Sequence, residues 1–119
     1  MITLTIPEAS PSLNQLNGKH WSHYHQMRKH WSMLVLIAKT EAHVSMAAPP
    51  DKVIVRILRE GRRLLDHDNL WGGCKVIGDS LREQRLIVND DPDHMTLTVE
   101  QMLVKKANYP RTRVEISAA

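Results

Sequence analysis

Asp66-His67-Asp68-Asn69 is the stretch whose residue types and spacing could do chemistry. In an extended segment, residues two apart point to the same face, about 6.6 Å from each other. Asp66 and Asp68 would then share one locale. Left unpaired, two such carboxylates repel and one of them protonates. Beside Mg²⁺ or Mn²⁺, hard cations that favour carboxylate oxygen, both stay ionised. Asp90 and Asp91 offer a third ligand. The same four residues also suit a polar turn with solvated acids, and spacing alone does not choose between the two.

Lys75 stands four residues before Asp79. As a helical pair the two contribute a few tenths of a kcal/mol, of order ~0.3. Alternatively the ammonium reaches a scissile phosphate and neutralises charge as its P–O bond breaks. His20, His23, His25 and His30 raise the idea of zinc. On a helix, however, His23 and His25 face different directions, and His20 fits better in a positive surface with Arg28 and Lys29. Asn14, Asn17 and Lys19 extend that surface along the preceding loop, where the asparagines can donate to phosphate oxygens. Arg59, Arg62 and Arg63 come just before the acids, suited to gripping a backbone phosphate or merely to offsetting acidic charge.

The elements that must position these groups follow from periodicity. Ile2, Leu4 and Ile6 alternate with Thr3 and Thr5, a strand that stops at Pro7, and a loop is expected from Glu8 to about Lys19. Tyr24, Met27, Trp31, Leu34 and Ala38 recur at helical steps, with His25, Arg28, Lys29 and Ser32 toward solvent; this helix frays near Ser45, before Pro49 and Pro50. Lys52 to Leu58 reads as a second strand, with a tight turn at Gly61. Leu64 to Asp68 is expected to be extended and Asn69 to begin the next helix, running from about Gly73 to Arg85. On it Cys74, Ile77 and Leu81 form the apolar stripe, and Lys75, Asp79 and Arg82 share a polar side. After a turn at Asn89 to Pro92, Met95 to Glu100 and Arg113 to Ile116 alternate as two more strands, which a turn near Asn108 to Pro110 can close into a hairpin. The expected fold is one α+β domain over residues 1–119. It has a mixed four-stranded sheet and two main helices in the order β-α-β-α-β-β.

Composition limits the setting. The 119 residues carry 16 Lys and Arg against 13 Asp and Glu. That net charge hides a division: residues 1–65 hold nine basic and four acidic groups, residues 66–93 three and seven, and residues 94–119 four and two. Drawing the acidic island together calls for counter-charge, which a divalent cation would supply. One cysteine, Cys74, allows no intramolecular disulfide and no cysteine-built zinc cage, in keeping with a reducing, cytoplasmic setting. The longest apolar run, Met33 to Ala38, is far short of the roughly 20 residues of a membrane span.

Taken in order, the Ile-Thr-Leu-Thr-Ile-Pro strand, the Pro/Asn loop, Arg62-Arg63-Leu64-Leu65-Asp66-His67-Asp68-Asn69-Leu70, Lys75, Asp79-Ser80-Leu81 and Asp90-Asp91 resemble the RusA family of Holliday-junction resolvases. The likeness spans nearly the whole chain. It implies a small homodimeric α+β endonuclease, often prophage-encoded, that uses Mg²⁺ or Mn²⁺ to nick opposed strands of a four-way DNA junction symmetrically. It also implies that Asp66 and Asp68 are the paired metal-binding acids and Lys75 the catalytic lysine. Matching without gaps from Asp79 puts the third acid on Asp90; a one-residue slip would select Asp91. Trp71-Gly72-Gly73 departs from the best-known pattern as an extra segment, and the two glycines are expected to delay the helix start and leave its face unchanged. The other readings are a noncatalytic branched-DNA-binding protein of the same fold and a metal-dependent ribonuclease.

Overall fold

A computed structural model describes residues 1–18, 20–45, 48–105 and 108–119. The chain folds as a small α+β domain with a four-stranded mixed sheet and two main helices, as its periodicity predicts. In chain order the elements are β1 (Ile2–Ile6), α1 (Leu13–Leu16), α2 (Ser22–Glu41), β2 (Val53–Gly61), α3 (His67–Gly73), α4 (Lys75–Glu83), β3 (Met95–Leu103) and β4 (Arg111–Ala118). None of these helices is long and apolar enough to cross a membrane.

The strands lie in the order β1-β4-β2-β3, with β4 antiparallel to both neighbours and β2 parallel to β3. Leu4, Val114, Ile57 and Val99 stand side by side across all four strands, and all are buried. Trp31, Val35 and Ala38 of α2 and Val76, Ile77 and Leu81 of α4 complete one core against that face. Apolar area withdrawn from water, at about 25 cal/mol per Å², is what holds these layers together.

The expected hairpin of the last two strands does not form. β3 arrives from a helical crossover, which sets it parallel beside β2. β4 inserts between β1 and β2, where Thr112, Val114 and Ile116 are all buried. β3, with a half-exposed face, takes the sheet edge.

Three local boundaries also differ from expectation. The presumed loop before α2 contains α1, held by a reciprocal capping box between Ser12 and Gln15. β2 runs on through Gly61 rather than ending at Leu58 and turning. The next helix begins at His67, capped by Asp66, so only residues 64–66 precede it and Asp68 is already in its first turn. Gly72 and Gly73 lie inside α3, which they let approach the N-terminal segment, and the helix that carries Lys75 starts after them. A Cβ on Gly73 would stand 1.7 Å from the Pro11 carbonyl oxygen, and one on Gly72 would stand 3.0 Å from Leu13. The helix breaks instead at Cys74, whose N–H turns back to the Trp71 carbonyl at 3.1 Å before α4 begins.

Candidate functional site

Asp66 lies where the chain leaves the sheet and enters α3. Its Oδ1 accepts the Asn69 backbone N–H at 2.9 Å and its Oδ2 the Asn69 side-chain amide at 3.0 Å. The Asn69 backbone N–H first, and then its side chain, hold the Asp66 carboxyl below the ordinary carboxylate range. Asn69 in turn accepts the Asn14 backbone N–H at 3.1 Å, joining α1 to the head of α3. Because Asp66 caps the helix and Asp68 is inside it, the two acids do not share the face that an extended segment would give them. Asp68 is exposed, and its carboxylate makes no hydrogen bond or ion pair among the described residues.

Lys75 opens α4 with its side chain 65% exposed. Its Nζ lies 3.6 Å from Asp79 Oδ2 and 5.3 Å from the centroid of the Tyr24 ring. The Tyr24 hydroxyl donates to that same Asp79 oxygen. Burial, and then the bond to Asp79, push the Tyr24 phenol well above its usual range, so it stays a donor. Asp90 folds back on α4: its Oδ2 lies 3.3 Å from where a Cβ on Gly78 would be, and its Oδ1 3.9 Å from Arg82. Asp91, by contrast, is occupied by its own turn. It accepts the backbone N–H groups of Asp93 and His94 at 3.1 Å, the His94 ring at 2.6 Å and the Asn89 amide at 2.9 Å. Asp90 is therefore the member of the pair that faces the lysine-bearing helix.

The structure thus gathers Tyr24, Lys75, Asp79 and Asp90 around α4, with Asp66 and Asp68 at the head of α3. Among the described residues no group of three or more His, Cys, Asp or Glu side chains stands close enough to hold a metal ion.

The expected basic contacts separate into exposed groups and groups held by the fold. Lys29 and Arg63 are exposed. Asn14 is exposed too, although its N–H is taken by Asn69. Arg62 is exposed with Nη2 3.3 Å from the Asn108 carbonyl oxygen. Arg28 pairs with Glu83, and Lys19 lies outside the described residues. Arg59 is not a surface cation. β2 continues past Leu58, and two-residue alternation puts Arg59 on the same inward face as Val53, Val55 and Ile57. There it is 9% exposed and donates to the carbonyls of Ser10 and Arg63, each at 2.8 Å.

Arg59 belongs to a polar row at the end of the core, paired in register with Thr112 and Gln101. Thr112 donates to the Glu8 carbonyl at 2.7 Å. Gln101 exchanges two bonds with the backbone of Leu65, at 2.9 and 2.7 Å. This row ties down the segment before α1 and the one that delivers Asp66. No family model matches the chain, and no curated protein matches it. The site rests on geometry. Sequence reasoning missed Tyr24, taken only as part of an apolar stripe. Its partner Asp79 is 55 residues away, and no local spacing signals such a contact.

Proposed function

We propose that the chain is a metal-dependent, structure-selective DNA endonuclease that resolves Holliday junctions by paired symmetric nicks, as the resemblance to the RusA family implies. The observation that supports this reading is that acids at the head of α3 are followed by Lys75 at the head of α4, with Asp90 folded onto α4 beside Gly78. In this reading the exposed Lys75 ammonium meets the phosphate and offsets charge on the leaving oxygen. Lys29, Arg62 and Arg63 hold the flanking backbone, electrostatically and with little sequence preference. Arg59 acts behind them by fixing the segment that ends at Asp66.

Asp66, Asp68 and Asp90 are the proposed holders of Mg²⁺ or Mn²⁺. Their chemistry fits, since all are hard oxygen donors. Mg²⁺ in phosphoryl sites also takes one or two carboxylates and completes its shell with water and substrate oxygens. That no three-acid cage stands among the described residues therefore does not conflict with this use. When bound, such an ion supplies an activated water and stabilises the leaving oxygen.

Symmetric nicking needs two sites related by a two-fold axis, so the working form is a homodimer on a four-way junction, acting in the cytoplasm of a bacterial or phage-infected cell. The other reading is a noncatalytic branched-DNA-binding protein of the same fold, in which Asp66 serves as the cap of α3 alone. A synthetic four-way junction incubated with the protein, with Mg²⁺ or with EDTA, separates them. Paired nicks that need Mg²⁺ and vanish in Asp68→Asn and Lys75→Ala are expected. Tight junction binding with no nicking under any of these conditions would leave only the noncatalytic protein, and preferential cleavage of RNA would point to a ribonuclease.

A further inference from the structure

We propose that Tyr24 and Asp79 form a positioning pair for Lys75, a role that rests on the nuclease reading for its catalytic consequence. A lysine 65% exposed at its side chain ordinarily samples many rotamers, and a surface ion pair does little to stop it. Here the partner is not a surface group: the Asp79 side chain is 9% exposed, within the layer where α4 packs on α2. Burying a carboxylate is costly unless it is hydrogen-bonded and paired. Asp79 has two such partners, the Tyr24 hydroxyl from α2 and the Lys75 ammonium one turn back on α4.

Both partners meet the same oxygen, Asp79 Oδ2, so the phenol and the ammonium are held side by side. The Tyr24 ring lies beneath the ammonium, its centroid 5.3 Å from Nζ. Tyr24 thus acts on the lysine twice, by orienting its carboxylate partner and by giving the ammonium a ring face to rest against. A mere tie between α2 and α4 would need neither the shared oxygen nor the ring under the ammonium. Tyr24 and Asp79 touch no substrate in this scheme; they set where Lys75 stands when the phosphate arrives.

The test compares the full chain with Tyr24→Phe, which keeps the ring and removes only the hydroxyl, and with Asp79→Asn. Tyr24→Phe is expected to lower kcat for junction nicking about tenfold with KM within about twofold, because a displaced catalytic group slows the chemical step. NMR relaxation at Lys75 Cε gives a readout independent of activity, and its order is expected to fall in both variants when measured well below the melting temperature, which the loss of a bond to the buried Asp79 carboxylate lowers. Unchanged Lys75 order in Tyr24→Phe would overturn the proposal, as would a kcat equal to that of the wild type. If the wild-type protein does not nick junctions, the nuclease reading falls, and the Lys75 relaxation still decides whether the pair positions the amine.

Discussion

Arg59 shows how one residue can carry two readings that burial separates. With both guanidinium bonds going to backbone carbonyls, it is a buried clamp. Arg59→Met keeps the bulk and removes the donors, and is expected to cost about 2 kcal/mol, since it strands the Ser10 and Arg63 carbonyls. Urea denaturation measures that loss, and the salt dependence of junction binding is expected to keep its slope because no phosphate contact is removed. A slope shallower by about one would return Arg59 to the surface. His94 and Asp91 make a second residue-scale case. Their hydrogen bond raises the proton affinity of His94 and lowers that of Asp91. The His94 contribution is complete below its ordinary value of 6.5 and is lost as pH rises through the higher folded value. The Asp91 contribution is present above its ordinary value of 3.8 and is lost as pH falls through the lower folded one. The melting-temperature gap between wild type and His94→Gln is therefore expected to be widest between those ordinary values and to narrow on either side. A gap that stays level from acid to alkali would mean the clasp does not hold the turn beside Asp90.

At the scale of elements, the start of α3 decides what Asp66 is for. As an N-cap it needs only an acceptor oxygen; as a metal ligand it needs a charge. Asp66→Asn is expected to hold stability to within about 0.5 kcal/mol, and Asp66→Ala to lose about 1 kcal/mol. Nicking is expected to disappear in both. An active, stable Asp66→Asn protein would confine Asp66 to capping. The helix boundary was hidden because Asp66 and Asn69 are both good caps, and only the fold shows which side-chain oxygen caps the first turn. The strand carrying Arg59 was readable in principle, since Val53, Val55, Ile57 and Arg59 keep one alternation. An arginine at the fourth position reads as the end of the apolar run unless its backbone partners are known.

For the molecule as a whole, the Cα radius of gyration of 13.7 Å fits a compact single chain, for which about 13.5 Å is expected. The proposed paired nicking requires more than that one chain. Sedimentation equilibrium is expected to give about twice 13.6 kDa at the concentrations where junctions are cut. A monomer mass accompanied by paired cuts would remove the two-fold argument. Of the candidate backbone contacts, Lys29, Arg62 and Arg63 are exposed, and all three precede the acidic stretch in sequence.

Periodicity by itself determined the α+β class, four strands, the amphipathic α2 and the Cys74, Ile77 and Leu81 stripe, because these depend on residues within a few positions of one another. Composition and spacing likewise marked Asp66, Asp68, Lys75 and the Asp90-Asp91 pair as the chemical candidates. Only the tertiary structure decided that β4 enters the sheet between β1 and β2, that Arg59 faces inward to clamp two loops, that Asp90 rather than Asp91 meets α4, and that Tyr24 reaches Asp79. Each of those outcomes is a contact between residues far apart in the chain. Alternation states which side of a strand is apolar, but the strand's neighbours and the partners of its buried polar groups are chosen by packing the whole core at once.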